Sequence, residues 1–264
     1  MLFDSHTHLN DSEYTKEEFE ALVSEIEASQ ISCICDVGFD VESSRLAVEH
    51  AVKYPWCYAA VGIHPHDTYK TTEEDFEEIR KLALRGLDPA DPAYKKIVAI
   101  GEIGLDYHYD KEWEAEQIYW FKRQIALAKD LKLPIMIHSR DADQITFDIL
   151  KSEGAFEVPV DIHCYSGHLE MAKEYVKLGA YLGVDGPITY KNNKKGVEVF
   201  ENVPLEHILL ETDAPYLTPV PFRGQRNKSP YVEYVAKKVA EIRGLTYEEV
   251  ARATTENAKR YFGI

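Results

Sequence analysis

The chain has 264 residues, 45% of them hydrophobic, and a formal net charge of -16. That is enough apolar material for a sizeable core, and the acidic balance argues against a broad nucleic-acid footprint and against anionic membrane surfaces. No stretch approaches the roughly 20 apolar residues of a membrane span. The N-terminus lacks a basic region followed by an apolar one, so a cytoplasmic protein is expected, with Cys33, Cys35, Cys57 and Cys164 as reduced buried thiols.

Eight short apolar runs alternate with helical patterns. The runs are Leu2–Phe3, Ile31–Val37, Tyr58–Val61, Ile97–Ile100, Ile135–Ile137, Val158–Ile162, Ala180–Val184 and Ile208–Leu210. Several are apolar throughout, as strands covered on both faces should be. Between them Phe19, Leu22, Val23 and Ile26 fall at helix spacing, as do Ile118, Phe121, Ile125 and Ala128, and later Val232, Val235, Val239 and Ile242. Thr15-x-x-Glu18 and Thr246-x-x-Glu249 predict capping boxes, and Gly86, Gly154, Gly179 and Gly244 follow helical patterns as stop signals. Strand–helix alternation repeated eight times closes most simply into a (β/α)8 TIM barrel, one α/β domain over residues 1–264. An open doubly wound sheet is the alternative.

In a barrel the residues ending each strand face one shared mouth. His6 and His8 follow the first run, and a strand puts residues i and i+2 on one side. His64 and His66 follow the third run, Glu102 the fourth, His138 and Arg140 the fifth, His163 the sixth, and Asp213 the eighth. Any one of these histidines is most simply a capping or packed residue. Their recurrence at strand ends, with Glu102 and Asp213 among them, points to a metal centre. Four imidazoles (His6, His8, His138, His163) and two carboxylates (Glu102, Asp213) exceed what one tetrahedral ion needs. Two ions about 3.5–4 Å apart would hold a hydroxide between them and clamp an ester oxygen, which is hydrolytic machinery. Imidazole–carboxylate ligation suits Zn, Mn or similar ions and does not choose between them. Cys164 directly follows His163, so on a strand it would point the other way and pack.

Basic residues collect in the loops after the last two runs, Tyr190–Lys195 and Phe222–Lys228, and Arg140 sits two residues past His138. They are solvated surface charge or, placed over a metal site, the cradle of an anionic substrate, since arginine forks match phosphate oxygens. Tyr107, Tyr165 and Tyr216 follow strand-end motifs and are candidates to stack on a base or ring.

Taken together, several motifs resemble the TatD-type metal-dependent deoxyribonucleases, within the wider amidohydrolase-like TIM-barrel hydrolases. They are Asp4-x-His6-x-His8, Gly62-Ile63-His64-Pro65, Gly101-Glu102-Ile103-Gly104-Leu105-Asp106-Tyr107, His138-Ser139-Arg140, His163-Cys164-Tyr165-Ser166-Gly167 and Glu211-Thr212-Asp213-Ala214-Pro215-Tyr216-Leu217-Thr218-Pro219. Arg223-Gly224-x-x-Asn227 and Asn257-x-x-Arg260-x-Phe262 match as well. The resemblance runs end to end and in order. H-x-H is shared by many relatives, whereas the Glu102 and Asp213 motifs are far more specific. Tyr165 stands where phenylalanine is common, and the 88–95 loop is longer than usual.

The resemblance implies Mg-, Mn- or Zn-dependent phosphodiester hydrolysis, often from a 3′ end, on DNA ends or short oligonucleotides. It implies that His6, His8 and Asp213 hold one ion, that His138 and His163 hold the second, that Glu102 bridges them, and that His64 lies near the substrate phosphate. Asp213 is then the expected proton acceptor, with Arg140 or Arg223 stabilising charge on the phosphoryl oxygens. No membrane contact and no stable protein partner is inferred. Another hydrolase on the same scaffold, a D-aminoacyl-tRNA deacylase or an amide or ester hydrolase, stays open because fold does not fix chemistry. Glu102 in place of lysine disfavours the relatives bridged by a carbamylated lysine. A non-enzymatic metal or nucleic-acid binding module is the third reading, and six ligands with His64 beside them argue against it.

Overall fold

The computed structural model describes residues 1–109 and 111–264. Its strands are β1 (Leu2–Thr7), β2 (Ile31–Val37), β3 (Cys57–Val61), β4 (Ile97–Asp106), β5 (Ile135–Arg140), β6 (Val160–Ile162), β7 (Tyr181–Val184) and β8 (Ile208–Leu210). They form one sheet in the order β1 to β8. The helices are α1 (Lys16–Ala28), α2 (Val41–Lys53), α3 (Glu73–Arg85), α4 (Glu114–Leu131), α5 (Asp143–Ser152), α6 (Leu169–Lys177), α7 (Lys194–Asn202), α8 (Val232–Arg243) and α9 (Tyr247–Phe262). Consecutive parallel strands joined by helices make the (β/α)8 barrel expected from the sequence, whereas a doubly wound sheet reverses its order at an interior strand. The backbone divides into two compact units, Met1–Cys35 with Cys164–Arg260, and Asp36–His163 with Tyr261–Ile264.

In the first unit β7 pairs with β8 in parallel. The last strand meets the first through a parallel bridge between Thr7 and Ala214 and through Asp213 N–H donating to the His6 carbonyl at 2.9 Å. In the second unit β3, β4, β5 and β6 pair in parallel succession. Ala59, Ala60 and Val61 of β3 and Ile135, Met136 and Ile137 of β5 are wholly buried, which is why they read as unbroken apolar runs.

Both capping boxes form. Thr15 accepts from Glu18 N–H while Glu18 accepts from Thr15 N–H, and Thr246 and Glu249 do the same. Gly244 closes α8 with a φ of 64°, a left-handed conformation that glycine adopts without cost. Gly86 ends α3 in a right-handed conformation instead, and a Cβ there would meet Ile97 Cβ at 2.8 Å, so close packing is its reason.

Several strands outrun their apolar signal. β1 continues to Thr7, β4 to Asp106 and β5 to Arg140, so His6, Glu102 and His138 lie inside strands, not after them. The backbone ladder does not depend on side-chain polarity, and the apolar signal stops where side chains turn to a polar site. β6 is shorter than its run: Pro159 has no N–H to give a ladder, and the strand starts at Val160.

Candidate metal centre

In the first unit the alternation of β1 puts His6 and His8 side by side, their Nε2 atoms 3.2 Å apart and both rings buried. Asp213, just past β8, brings Oδ1 to 3.3 Å from His8 Nε2 and 3.7 Å from His6 Nε2. Its φ of 54° is left-handed, a conformation aspartate tolerates better than most residues. The turn presenting it is fastened from below by buried Asp4, whose carboxylate accepts from Thr212 N–H at 2.9 Å and from its hydroxyl at 2.7 Å. Burial pushes the Asp4 carboxyl up to about 7, with Thr212 and Ser229 pulling it back. Asn227 donates to the carbonyls of Thr212 and Tyr216 at 2.8 and 2.6 Å, so the Arg223–Asn227 motif stitches this loop together.

In the second unit Glu102 is the hub. Its buried Oε1 lies 2.9 Å from His138 Nδ1, 3.3 Å from His163 Nε2 and 3.7 Å from His64 Nε2. Burial alone would raise this carboxyl, yet the surrounding His64, His163 and His138 imidazoles hold it well below the usual carboxylate range. His64 is driven the other way: burial, with His138 adding to it, keeps the ring neutral at physiological pH. Its Nδ1 accepts the backbone N–H of His66 at 3.1 Å. The neutral ring therefore carries its proton on Nε2 and offers a donor there, which suits an anionic substrate oxygen better than an ion.

Two buried glutamines on α4 set these strand ends. Gln124 clamps Ile63, accepting from its N–H at 2.8 Å and donating to its carbonyl at 3.0 Å, which fixes the backbone just before His64. Gln117 clamps Asp106 in the same way, at 2.9 and 3.0 Å. The two sit seven residues apart, two helical turns, and so on one face.

The structure gathers His6, His8 and Asp213 into one potential ligand set and His64, Glu102 and His138 into another, each with donors within 4.8 Å of one another. The donor chemistry fits a divalent ion, since neutral imidazoles and ionised carboxylates are what Zn, Mn and similar ions take. Arg140 stacks over Tyr109 at 4.9 Å and Arg223 over Tyr190 at 4.4 Å. Arg226 and Lys228, counted as basic loop residues in the sequence, are instead paired with acids of the chain around α1: Arg226 with Glu13 and Glu18, Lys228 with Glu25. Tyr216 is exposed, with its hydroxyl on Asp11, but Tyr165 is buried and donates to the His168 carbonyl, so it presents no stacking face. Cys164 does not continue a strand. It takes a left-handed φ of 47°, its N–H donates to Glu211 Oε1 at 2.6 Å, and burial lifts its thiol well above the usual range.

Sequence reasoning included Asp106 in the Gly101–Tyr107 motif but gave it no role. Asp106 Oδ2 lies 3.0 Å from His138 Nε2 and 3.0 Å from His66 Nε2. The signal was present, because residues 104 and 106 of an extended strand share a side with Glu102. Nothing local pointed to Gln117 or Gln124, which look like ordinary helix residues.

A family model described as TatD related DNase matches residues 3–263. The chain is 46% identical over 264 residues, all of both chains, to an uncharacterized metal-dependent hydrolase, YabD, of Bacillus subtilis. It is 30% identical to the 3′-5′ ssDNA/RNA exonuclease TatD of Citrobacter rodentium, covering 100% of this chain and 98% of the other. Among solved structures, the TatD homologue YjjV of Escherichia coli superposes with a TM-score of 0.90 at 31% identity, covering 100% of this chain and 98% of that one. With buried histidine–carboxylate clusters at its strand ends and this likeness along its whole length, the chain belongs to the TatD-related DNase family of metal-dependent hydrolases.

Proposed function

We propose that this protein, acting as one catalytic domain over 1–264, is a divalent-metal-dependent phosphodiesterase that removes nucleotides from the 3′ end of single-stranded or frayed DNA. The observation that carries the reading is the pairing of ionised Glu102 with the His138 and His163 imidazoles in the second unit and of Asp213 with His6 and His8 in the first. We assign His6, His8 and Asp213 to one ion and His138 and His163 to a second, with Glu102 shared, the ions being Zn, Mg or Mn.

When bound, the divalent ions supply Lewis acidity toward the phosphoryl oxygens and lower the pKa of the attacking water. The chain's own groups do the rest. Asp213 accepts the proton lost by water as the P–O bond to the leaving 3′ oxygen breaks, and that proton is returned to the leaving oxygen. His64 donates its Nε2–H to a phosphate oxygen. Arg140 and Arg223, each braced on a tyrosine ring, take neighbouring phosphate oxygens as charge-assisted donors. The 3′-5′ exonuclease named among the relatives supports the choice of end.

The test is purified protein with 5′- and 3′-end-labelled single-stranded DNA under Mg2+, Mn2+ and Zn2+ in turn. A 3′ label released first as mononucleotide, with a shrinking 5′-labelled ladder, is expected. Intact DNA under every ion, alongside cleavage of p-nitrophenyl acetate, would replace this reading with an esterase.

A further inference from the structure

Asp106 meets the same His138 ring as Glu102, from its other nitrogen, and has no place in the proposed ligand set. Its side chain is fully buried and its two oxygens face different partners. Oδ1 accepts the backbone N–H groups of His108 at 2.9 Å and Tyr109 at 3.4 Å. Oδ2 faces Nε2 of His138 and Nε2 of His66, each at 3.0 Å. Gln117 clamps the Asp106 backbone, fixing the point from which the carboxylate projects. We propose that Asp106 is a positioning residue of the metal centre, which takes the Nε2–H of His138 and so reserves the His138 Nδ1 lone pair for the ion held with Glu102.

The argument is one of hydrogen-bond inventory. An ionised carboxylate accepts and never donates, so the imidazole nitrogen facing it must carry a proton. A ring that ligates an ion is neutral, with one N–H and one lone pair, so with its proton on Nε2 the lone pair of His138 falls on Nδ1. That nitrogen lies 2.9 Å from Glu102 Oε1. Without an ion a second proton on Nδ1 serves this contact by donating to Glu102, and a bound ion takes that proton's place. Outer carboxylates that take the second N–H of a ligating histidine fix its tautomer and its ring orientation. The shared contact with His66 extends the same hold to the residue whose backbone N–H sets the tautomer of His64. The proposal rests on the metal-dependent reading of the site, and its test separates the two.

Asp106→Asn and Asp106→Ala make opposite demands. Asparagine has one acceptor and one donor. Its oxygen must serve the His108 and Tyr109 N–H groups, so its amide faces His138 and forces the proton onto Nδ1. Alanine loses all four contacts but leaves His138 free to keep its Nδ1 lone pair. Zn2+ affinity measured by calorimetry should therefore fall about 10- to 100-fold in Asp106→Asn, and by less in Asp106→Ala, although Ala should unfold at the lower temperature. If Ala is worse in both measurements, Asp106 is only a structural anchor and the proposal is overturned. A direct readout needs no variant. In wild-type protein labelled with 15N-histidine and loaded with 113Cd2+, the cadmium coupling should appear at His138 Nδ1 with a proton retained on Nε2, and coupling at Nε2 overturns the proposal. A wild type that takes up neither Zn2+ nor Cd2+ removes the metal-dependent reading itself, and the proposal with it. Normal uptake with unchanged affinity in Asp106→Asn removes only the role of Asp106.

Discussion

The sharpest test of the proposed centre is Glu102→Gln, which keeps the shape of the side chain and removes its charge. Glu102 is the only anion of the second unit's ligand set, with imidazoles at 2.9, 3.3 and 3.7 Å around one oxygen. An ion that binds only the folded protein stabilises it by about 2.7 kcal/mol when present at about 100 times its Kd. At about 2–4 °C per kcal/mol for a chain of this size, Zn2+ at that level should raise the melting temperature of stripped wild type by about 5–11 °C. Losing even an outer partner of a ligand weakens binding by up to about 100-fold, and a neutral amide in place of a directly ligating anion should do at least that. At the same Zn2+ concentration the stabilisation then falls to about 0.4 kcal/mol, a shift of about 1–2 °C. The assay is thermal melting of EDTA-stripped protein titrated with Zn2+, with elemental analysis of the loaded samples. If Glu102 is shared between two ions, the variant should also lose stoichiometry. An undiminished Zn2+-dependent shift together with unchanged metal content would refute both the ligand and the bridging roles.

Asp213→Asn should fold normally, because asparagine tolerates the left-handed backbone at this position, and should lower turnover by roughly 10²–10⁴. Near wild-type turnover at neutral pH would sink Asp213 as proton acceptor. Asp4 has a folded pKa of about 7 against 3.8 in the free side chain, so its contribution to stability is fully present below about pH 4 and lost as pH rises through 7. At 1.36 kcal/mol per unit this is about 4 kcal/mol, and the melting advantage of metal-free wild type over Asp4→Asn should shrink between pH 5 and pH 8. A constant difference across that range would count against the assignment. With Arg226 and Lys228 already paired, Arg140, Lys191, Lys194, Lys195 and Arg223 remain to meet phosphates. Single-strand affinity should fall with salt at a log–log slope of about -1.4 to -2.1, as for two or three neutralised phosphates, and should level off beyond a few nucleotides. A slope steeper than about -5 that grows with DNA length, or efficient nicking of a closed circle, would mean an extended footprint.

The barrel and the gathering of histidines and carboxylates at its strand ends were legible because the relevant signals are local. Two-residue alternation alone puts His6 beside His8, three-residue spacing alone writes the Thr15 and Thr246 caps, and the covered strands announce themselves as unbroken apolar runs such as Ile135–Ile137. Residue chemistry then limits what four imidazoles and two carboxylates at strand ends are for. Other features depend on partners far away in the chain. His138 meets Glu102 across 36 residues and Asp106 across 32, while Gln124 reaches Ile63 across 61. Which nitrogen of a histidine carries the lone pair, which lysines and arginines are spent on neighbouring acids, and whether a tyrosine such as Tyr165 lies open or buried all follow from those meetings. Periodicity says which way a side chain faces along its own element. Only the folded chain supplies the donor or acceptor waiting there, such as the Asp106 carboxylate facing His138 Nε2 and the His66 N–H facing His64 Nδ1.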